Sequence, residues 1–185
     1  MTQAPLAQVF VSFQGEGPLV GVRQVFVRVR GCDLTCRYCD TLSAKDLEGP
    51  CDVETEPGSG EFSRIASPVS IGTMAQVLGG LCPPPQGDLP IRCKCCREKS
   101  CQVSFAPAHS LAVTGGEPLL YPEFVSDLTD LAGAMALPVY LETGGHRPSE
   151  LESVVAKVAY VSMDYKLPST LGTPVDPSLF VSSYE

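Results

Sequence analysis

Ser110-Leu111-Ala112-Val113-Thr114 is an apolar run of strand length that stops at Gly115-Gly116-Glu117-Pro118, after which the pattern changes to the helical spacing of Tyr121 to Ala136. The same rhythm then repeats. Pro138 to Glu142 reads as a strand, Pro148 to Val158 as a helix and Ala159 to Tyr165 as a strand. Alternation of this kind implies an α/β fold, a mostly parallel sheet with helices as crossovers. Upstream, Ala7 to Phe13 and the β-branched Val25 to Arg30 add two strands, parted by the Gly- and Pro-containing segment Gln14 to Gly21. Ser70 is suited to N-cap a helix through Ile71, Met74, Val77, Leu78 and Leu81, which Pro83-Pro84-Pro85 would end. Residues 42–69, rich in Gly, Ser and acidic side chains, and the cysteine-rich residues 82–108 lack periodicity. Both are expected to be surface excursions from one domain spanning residues 1–185.

The chain has 185 residues, with 13 Lys plus Arg against 21 Asp plus Glu, a net charge of −8. That excess of acid offers no footprint for a nucleic-acid backbone. Met1 to Ala7 has no basic segment followed by an apolar core, and no uncharged run approaches the roughly 20 residues that span a bilayer, so a cytoplasmic protein without a membrane anchor is expected. Nine cysteines are then better explained by metal ligation or catalysis than by structural disulfides.

In parallel sheets ligands gather at the carboxyl ends of the strands. Gly31 to Thr41, Thr114 to Pro118, Glu142 to Gly145 and Asp164 to Lys166 each end or follow an expected strand, so four distant segments should share one rim. Cys32, Cys36 and Cys39 are spaced C-x3-C-x2-C and can converge on one soft metal centre. On a four-iron cubane, three protein ligands leave one iron open for chemistry; a zinc knuckle completed by Asp40 or Cys51 is the alternative. Cys93, Cys95, Cys96 and Cys101 form a second group, either a Zn2+ or auxiliary cluster site or free thiols of a surface loop. Gly115 and Gly116 either let the backbone approach a polar ligand or serve a tight turn. Arg28, among Phe26, Val27 and Val29, is expensive unless paired, and Glu16 and Asp33 are the candidate partners in an ion pair. His109 and His146 read as surface residues.

Phe10-Val11-Ser12-Phe13-Gln14-Gly15-Glu16-Gly17, then Val27-Arg28, then the cysteine loop ending in Cys39-Asp40-Thr41 together resemble the N-terminus of the 7-carboxy-7-deazaguanine synthase family of radical S-adenosylmethionine enzymes. Thr114 to Pro118, Glu142-Thr143-Gly144 and Ser162 to Lys166 resemble later family segments, so the likeness runs from about Gln8 to Lys166. It implies a reduced, open parallel (βα) barrel carrying a 4Fe-4S cluster on Cys32, Cys36 and Cys39. It further implies a lyase reaction in queuosine biosynthesis. Reductive cleavage of S-adenosylmethionine would give a 5'-deoxyadenosyl radical that turns 6-carboxy-5,6,7,8-tetrahydropterin into 7-carboxy-7-deazaguanine and ammonia. The same resemblance implies that Tyr38, Gly115, Gly116, Glu117, Glu142, Thr143, Asp164 and Lys166 bind the cofactor. Phe13, Gln14, Gly15, Glu16, Arg28 and Thr114 would bind substrate, with Arg28 on its carboxylate, and Thr41 would ligate Mg2+. An electron donor such as flavodoxin and a homodimer are the implied partners. More chain is expected after Lys166 to close the pocket, either missing here or supplied by a partner or second subunit. Two other readings are a glycyl-radical activase and a non-catalytic zinc-binding scaffold.

Overall fold

The structure, a computed structural model, describes residues 2–83 and 108–185. β2 (Leu6–Phe13) and β3 (Arg23–Val29) form an antiparallel pair. Their linker is closed by Gln14 N–H donating to the Val22 carbonyl and Gly21 N–H to that of Gln14, both at 2.8 Å. β3 then starts a parallel run of β7 (Ser110–Gly115), β8 (Val139–Thr143) and β9 (Tyr160–Met163). The crossovers after β7 and β8 carry α2 (Pro122–Ala134) and α3 (Pro148–Val155). On the other side of β2, β4 (Cys51–Glu54) pairs in parallel and β5 (Phe62–Ile65) antiparallel beyond it. Among the described residues the order is β5-β4-β2-β3-β7-β8-β9, an open sheet. The α/β class and a mostly parallel open sheet are thus present, with antiparallel pairs at β2–β3 and β4–β5. β1 (Gln3–Ala4) and β6 (Val69–Ser70) make a small separate ladder leading into α1 (Ile71–Leu81). The Ser70 side chain caps α1, accepting from Thr73 N–H at 3.2 Å. α4 (Pro177–Tyr184) ends the chain.

Strand alternation decides what each face of the sheet does. Val9 and Val11, Val25, Val27 and Val29, Leu111 and Val113, and Val139 and Leu141 pack with Met74, Leu78, Phe124, Val125 and Leu128 of the helices in one apolar core. The intervening residues, Phe10, Phe26, Ala112 and Tyr140, form a smaller cluster on the opposite face. That second face also carries Arg28, Thr114 and Glu142, and it is concave.

Residues 42–69 are not an excursion throughout: β4 lies inside the sheet, with Cys51 fully buried and Glu54 4 % exposed. Four residues with two carboxylates hide the strand pattern. Glu54 is accommodated because its carboxylate accepts the N–H groups of Val11 at 2.8 Å and Gly60 at 2.9 Å. Of residues 82–108, Cys82 is buried behind the end of α1. Cys93, Cys95, Cys96 and Cys101 lie outside the described residues. No described helix is long and apolar enough to cross a membrane.

Candidate functional site

The concave face holds a cavity of about 670 Å³ at the carboxyl ends of the parallel strands. All four segments expected on one rim line it, as do Phe13 to Glu16, Arg28 and Thr41.

The cysteine loop leaves β3 through Gly31, whose φ of +88° favours glycine and whose N–H donates to the Ala44 carbonyl at 2.7 Å. Cys32, Cys36 and Cys39 are free and partly exposed. Buried Leu34 anchors the loop to the protein. Arg37 N–H donates to the Thr170 carbonyl at 2.9 Å, and Gly172 N–H to that of Thr35 at 2.8 Å. Asp33 accepts from His146 Nε2 and Arg147 Nη2, each at 2.8 Å. Burial pushes the Asp33 carboxyl up, but these two partners outweigh it and hold the group below the usual carboxylate range. Burial pushes the Cys32 thiol up, eased by the Leu34 N–H and reinforced by the nearby Glu117, Asp33 and Cys36. His146 is therefore not a surface residue: it is 6 % exposed and spent on the loop.

Among the described residues, no three His, Cys, Asp or Glu side chains are gathered closely enough to hold a single ion. A cubane makes a different demand, because each thiolate binds its own iron and the three sulfurs stand apart across the cluster. Three free thiols on one loop at the cavity rim fit that demand. The zinc knuckle fits less well, since Cys51 is sealed in the apolar core with its thiol pushed up to about 12 by burial. Thr41 Oγ1 lies 3.9 Å from Cys39 Sγ.

Gly116 N–H donates to the Val29 carbonyl at 3.0 Å and Glu117 N–H to that of Gly31 at 2.8 Å. A Cβ on Gly116 would fall 1.8 Å from the Gly31 oxygen. The close approach that needs this glycine is thus between two loops, and these two N–H groups are already committed. The Glu117 carboxylate, 1 % exposed, accepts from Leu119 N–H at 2.9 Å and from Gly144 N–H and Thr143 Oγ1, both at 2.8 Å. It binds the second rim segment to the third. Burial still raises its pKa against those donors.

Arg28 forms no ion pair among the described residues, with neither Glu16 nor Asp33. Its Nε is buried without a partner, and its guanidinium lies 5.7 Å from the centroid of the Phe10 ring, which stacks on Phe26 at 5.2 Å. In the register, Arg28 sits beside Thr114. Thr114 Oγ1 donates to Glu142 Oε2 at 2.5 Å, and Gln14 Nε2 to Glu142 Oε1 at 2.7 Å. At the far wall Lys166 pairs with Asp164 and lies 5.1 Å from the Tyr38 ring centroid. Burial lowers the Lys166 pKa, but Asp164 and Tyr38 outweigh it and raise it overall. Phe10, Ser12, Phe26, Lys45 and Ser162 also line the cavity, although no site role is expected for them from the sequence. Counting by twos from Arg28 reaches Phe26, whose register partner across the β2–β3 ladder is Phe10.

No protein-family model matches the chain. It is 39 % identical over 170 residues to the 7-carboxy-7-deazaguanine synthase of Geobacter sulfurreducens, covering 91 % of this chain and 59 % of that protein. It is 34 % identical over 167 residues to the 7-carboxy-7-deazaguanine synthase of Methanothermobacter thermautotrophicus, covering 90 % and 51 %. The chain thus spans between half and three-fifths of the length of these relatives. A crystal structure of QueE from Escherichia coli superposes with a TM-score of 0.49 at 23 % identity, over 78 % of this chain and 54 % of that one.

Proposed function

This chain belongs to the 7-carboxy-7-deazaguanine synthase family of the radical S-adenosylmethionine superfamily, and from that premise we propose that it makes 7-carboxy-7-deazaguanine and ammonia from 6-carboxy-5,6,7,8-tetrahydropterin. The observation that carries the reading is Arg28: a guanidinium without an ionic partner among the described residues, in the wall of the cavity that also holds the three free cysteines. An arginine left so is matched by a ligand carboxylate.

Cys32, Cys36 and Cys39 would hold a 4Fe-4S cluster and leave a coordination position for S-adenosylmethionine, and the two together would supply radical chemistry to the site. The protein's part is to bind, orient and exclude water. Arg28 takes the substrate carboxylate, with the apolar Phe10–Phe26 pair behind it. Glu142 and Glu16 offer acceptors to N–H groups on a pterin edge. Thr41 contributes to Mg2+, which usually keeps few protein ligands. Lys166, Asp164 and Tyr38 face the cofactor, while Glu117 holds Thr143 and Gly144 in place for it. A one-electron donor such as flavodoxin and a second copy of the chain are the partners in this reading. Arg28 also favours a small carboxylated substrate over the protein substrate of a glycyl-radical activase.

Anaerobic reconstitution followed by reduction with S-adenosylmethionine and the pterin tests the proposal. Iron and sulfide near four per chain, together with a deazaguanine product, are expected. Cleavage of S-adenosylmethionine with the pterin untouched rejects the substrate, and a chain that takes up zinc but no cluster rejects the class.

A further inference from the structure

Behind the cavity wall, Gln24 and Ser110 are both fully buried, and neither lines the cavity. They face each other across the β3–β7 ladder, with Gln24 Nε2 donating to Ser110 Oγ at 2.8 Å. Gln24 Oε1 accepts from Gln14 Nε2 at 3.0 Å, and the same nitrogen donates to Glu142 Oε1 at 2.7 Å. Gln14 Oε1 accepts from Glu16 N–H at 3.1 Å. The direction of this chain is not free to invert. An ionised Glu142 can only accept, so the Gln14 amide must turn its NH2 towards it and its oxygen towards Glu16 N–H. With both Gln14 hydrogens spent, Gln24 must present its carbonyl to Gln14 and its own NH2 to Ser110. Gln14 therefore has no hydrogen left for a ligand, and the group that faces one is Glu142, held on its two oxygens by Gln14 and Thr114.

We propose that Gln24 and Ser110 are positioning residues: they fix the Gln14 amide and through it aim Glu142 at the N–H groups of the substrate ring. The inference rests on the proposed function only for the identity of the ligand. Packing alone does not call for two carboxamides buried in series, since an apolar pair fills the same space without the penalty of burying polar groups.

Gln24→Leu keeps the volume and removes both bonds; Ser110→Ala is the milder variant should the first fail to fold. Two readouts are taken on the cluster-loaded protein. Hydrogen exchange of the Gln14 side-chain amide, followed by NMR, is expected to quicken by about tenfold in the variants. The KM for the pterin is expected to rise by about tenfold with kcat little changed and the melting temperature level or higher. Gln14 exchange that matches the wild type, or a KM within about twofold of it, overturns the proposal. Failure of the wild-type chain to use the pterin rejects the proposed substrate instead, and the exchange measurement still decides the positioning role.

Discussion

Arg28 is held where the protein gains little from it. Among the described residues its Nε has no partner, and the Phe10 ring is the contact that steadies the guanidinium. Replacing it with methionine, which fills the space without a buried donor, should raise stability by about 1 kcal/mol in a denaturant titration. If the substrate is the carboxylated pterin proposed above, the same variant should raise its KM on the order of 100-fold, the loss of a charge-assisted bond. A drop in stability with unchanged KM would mean that Arg28 is structural. Gly116 shows the opposite balance. Its missing side chain is what lets the Gly-Gly-Glu turn sit on Gly31, so Gly116→Ala should destabilise the fold on the order of 3 kcal/mol, read from its melting temperature. It should also loosen the cysteine loop. Both positions stood out in the sequence because each broke a local rule: a charge within an apolar strand and paired glycines at a strand end. What the sequence did not contain was the reason for the glycine, since the carbonyl it meets, that of Gly31, is far away along the chain.

Elements were readable where hydrophobic period and punctuation agreed. β2, β3, β7 and β8 have apolar residues on every second position, and α1 begins at a capping serine. β4 keeps the alternation in Cys51 and Val53, but over four residues set in a Gly-, Ser- and acid-rich stretch it is too short to stand out. Its place in the sheet depends on Glu54, and this makes it sensitive to acid. Burial pushes the Glu54 carboxyl up, but the N–H groups of Gly60, Val11 and Gly58 and the charge of Arg23 together hold it below the usual range. A pKa lower in the folded than in the unfolded chain stabilises the protein fully above the unfolded value of about 4.3. That contribution is lost as pH falls from there through the folded value. Against Glu54→Gln, the wild-type chain should be more stable by about 2 kcal/mol at neutral pH, with the gap closing in acid. Chemical denaturation at pH 7 and again below pH 4 checks this, and a gap independent of pH would mean that packing rather than charge holds β4.

At the scale of the whole molecule, the cysteine loop is held by parts of the chain far from it in sequence. Residues 170–172 bond to its backbone, and His146 and Arg147 hold Asp33. α4 reaches the same place through Phe180, 1 % exposed, whose ring lies 6.2 Å from that of His146 and 5.2 Å from that of Tyr165. None of these contacts follows from period or motif; a histidine that looked superficial in the sequence is a link between the C-terminal helix and the residue after the first cysteine. If that link restrains the loop, Phe180→Ala should do more than lower stability by about 3 kcal/mol. Hydrogen exchange in a peptide covering Cys32 to Cys39 should quicken by an order of magnitude or more, while the centres of β3 and β7 keep their protection, because local opening of a tethered loop is separable from global unfolding. Equal acceleration throughout would reduce Phe180 to an ordinary core residue. Acceleration confined to the loop would show that the geometry of the three thiols is set from the far end of the chain.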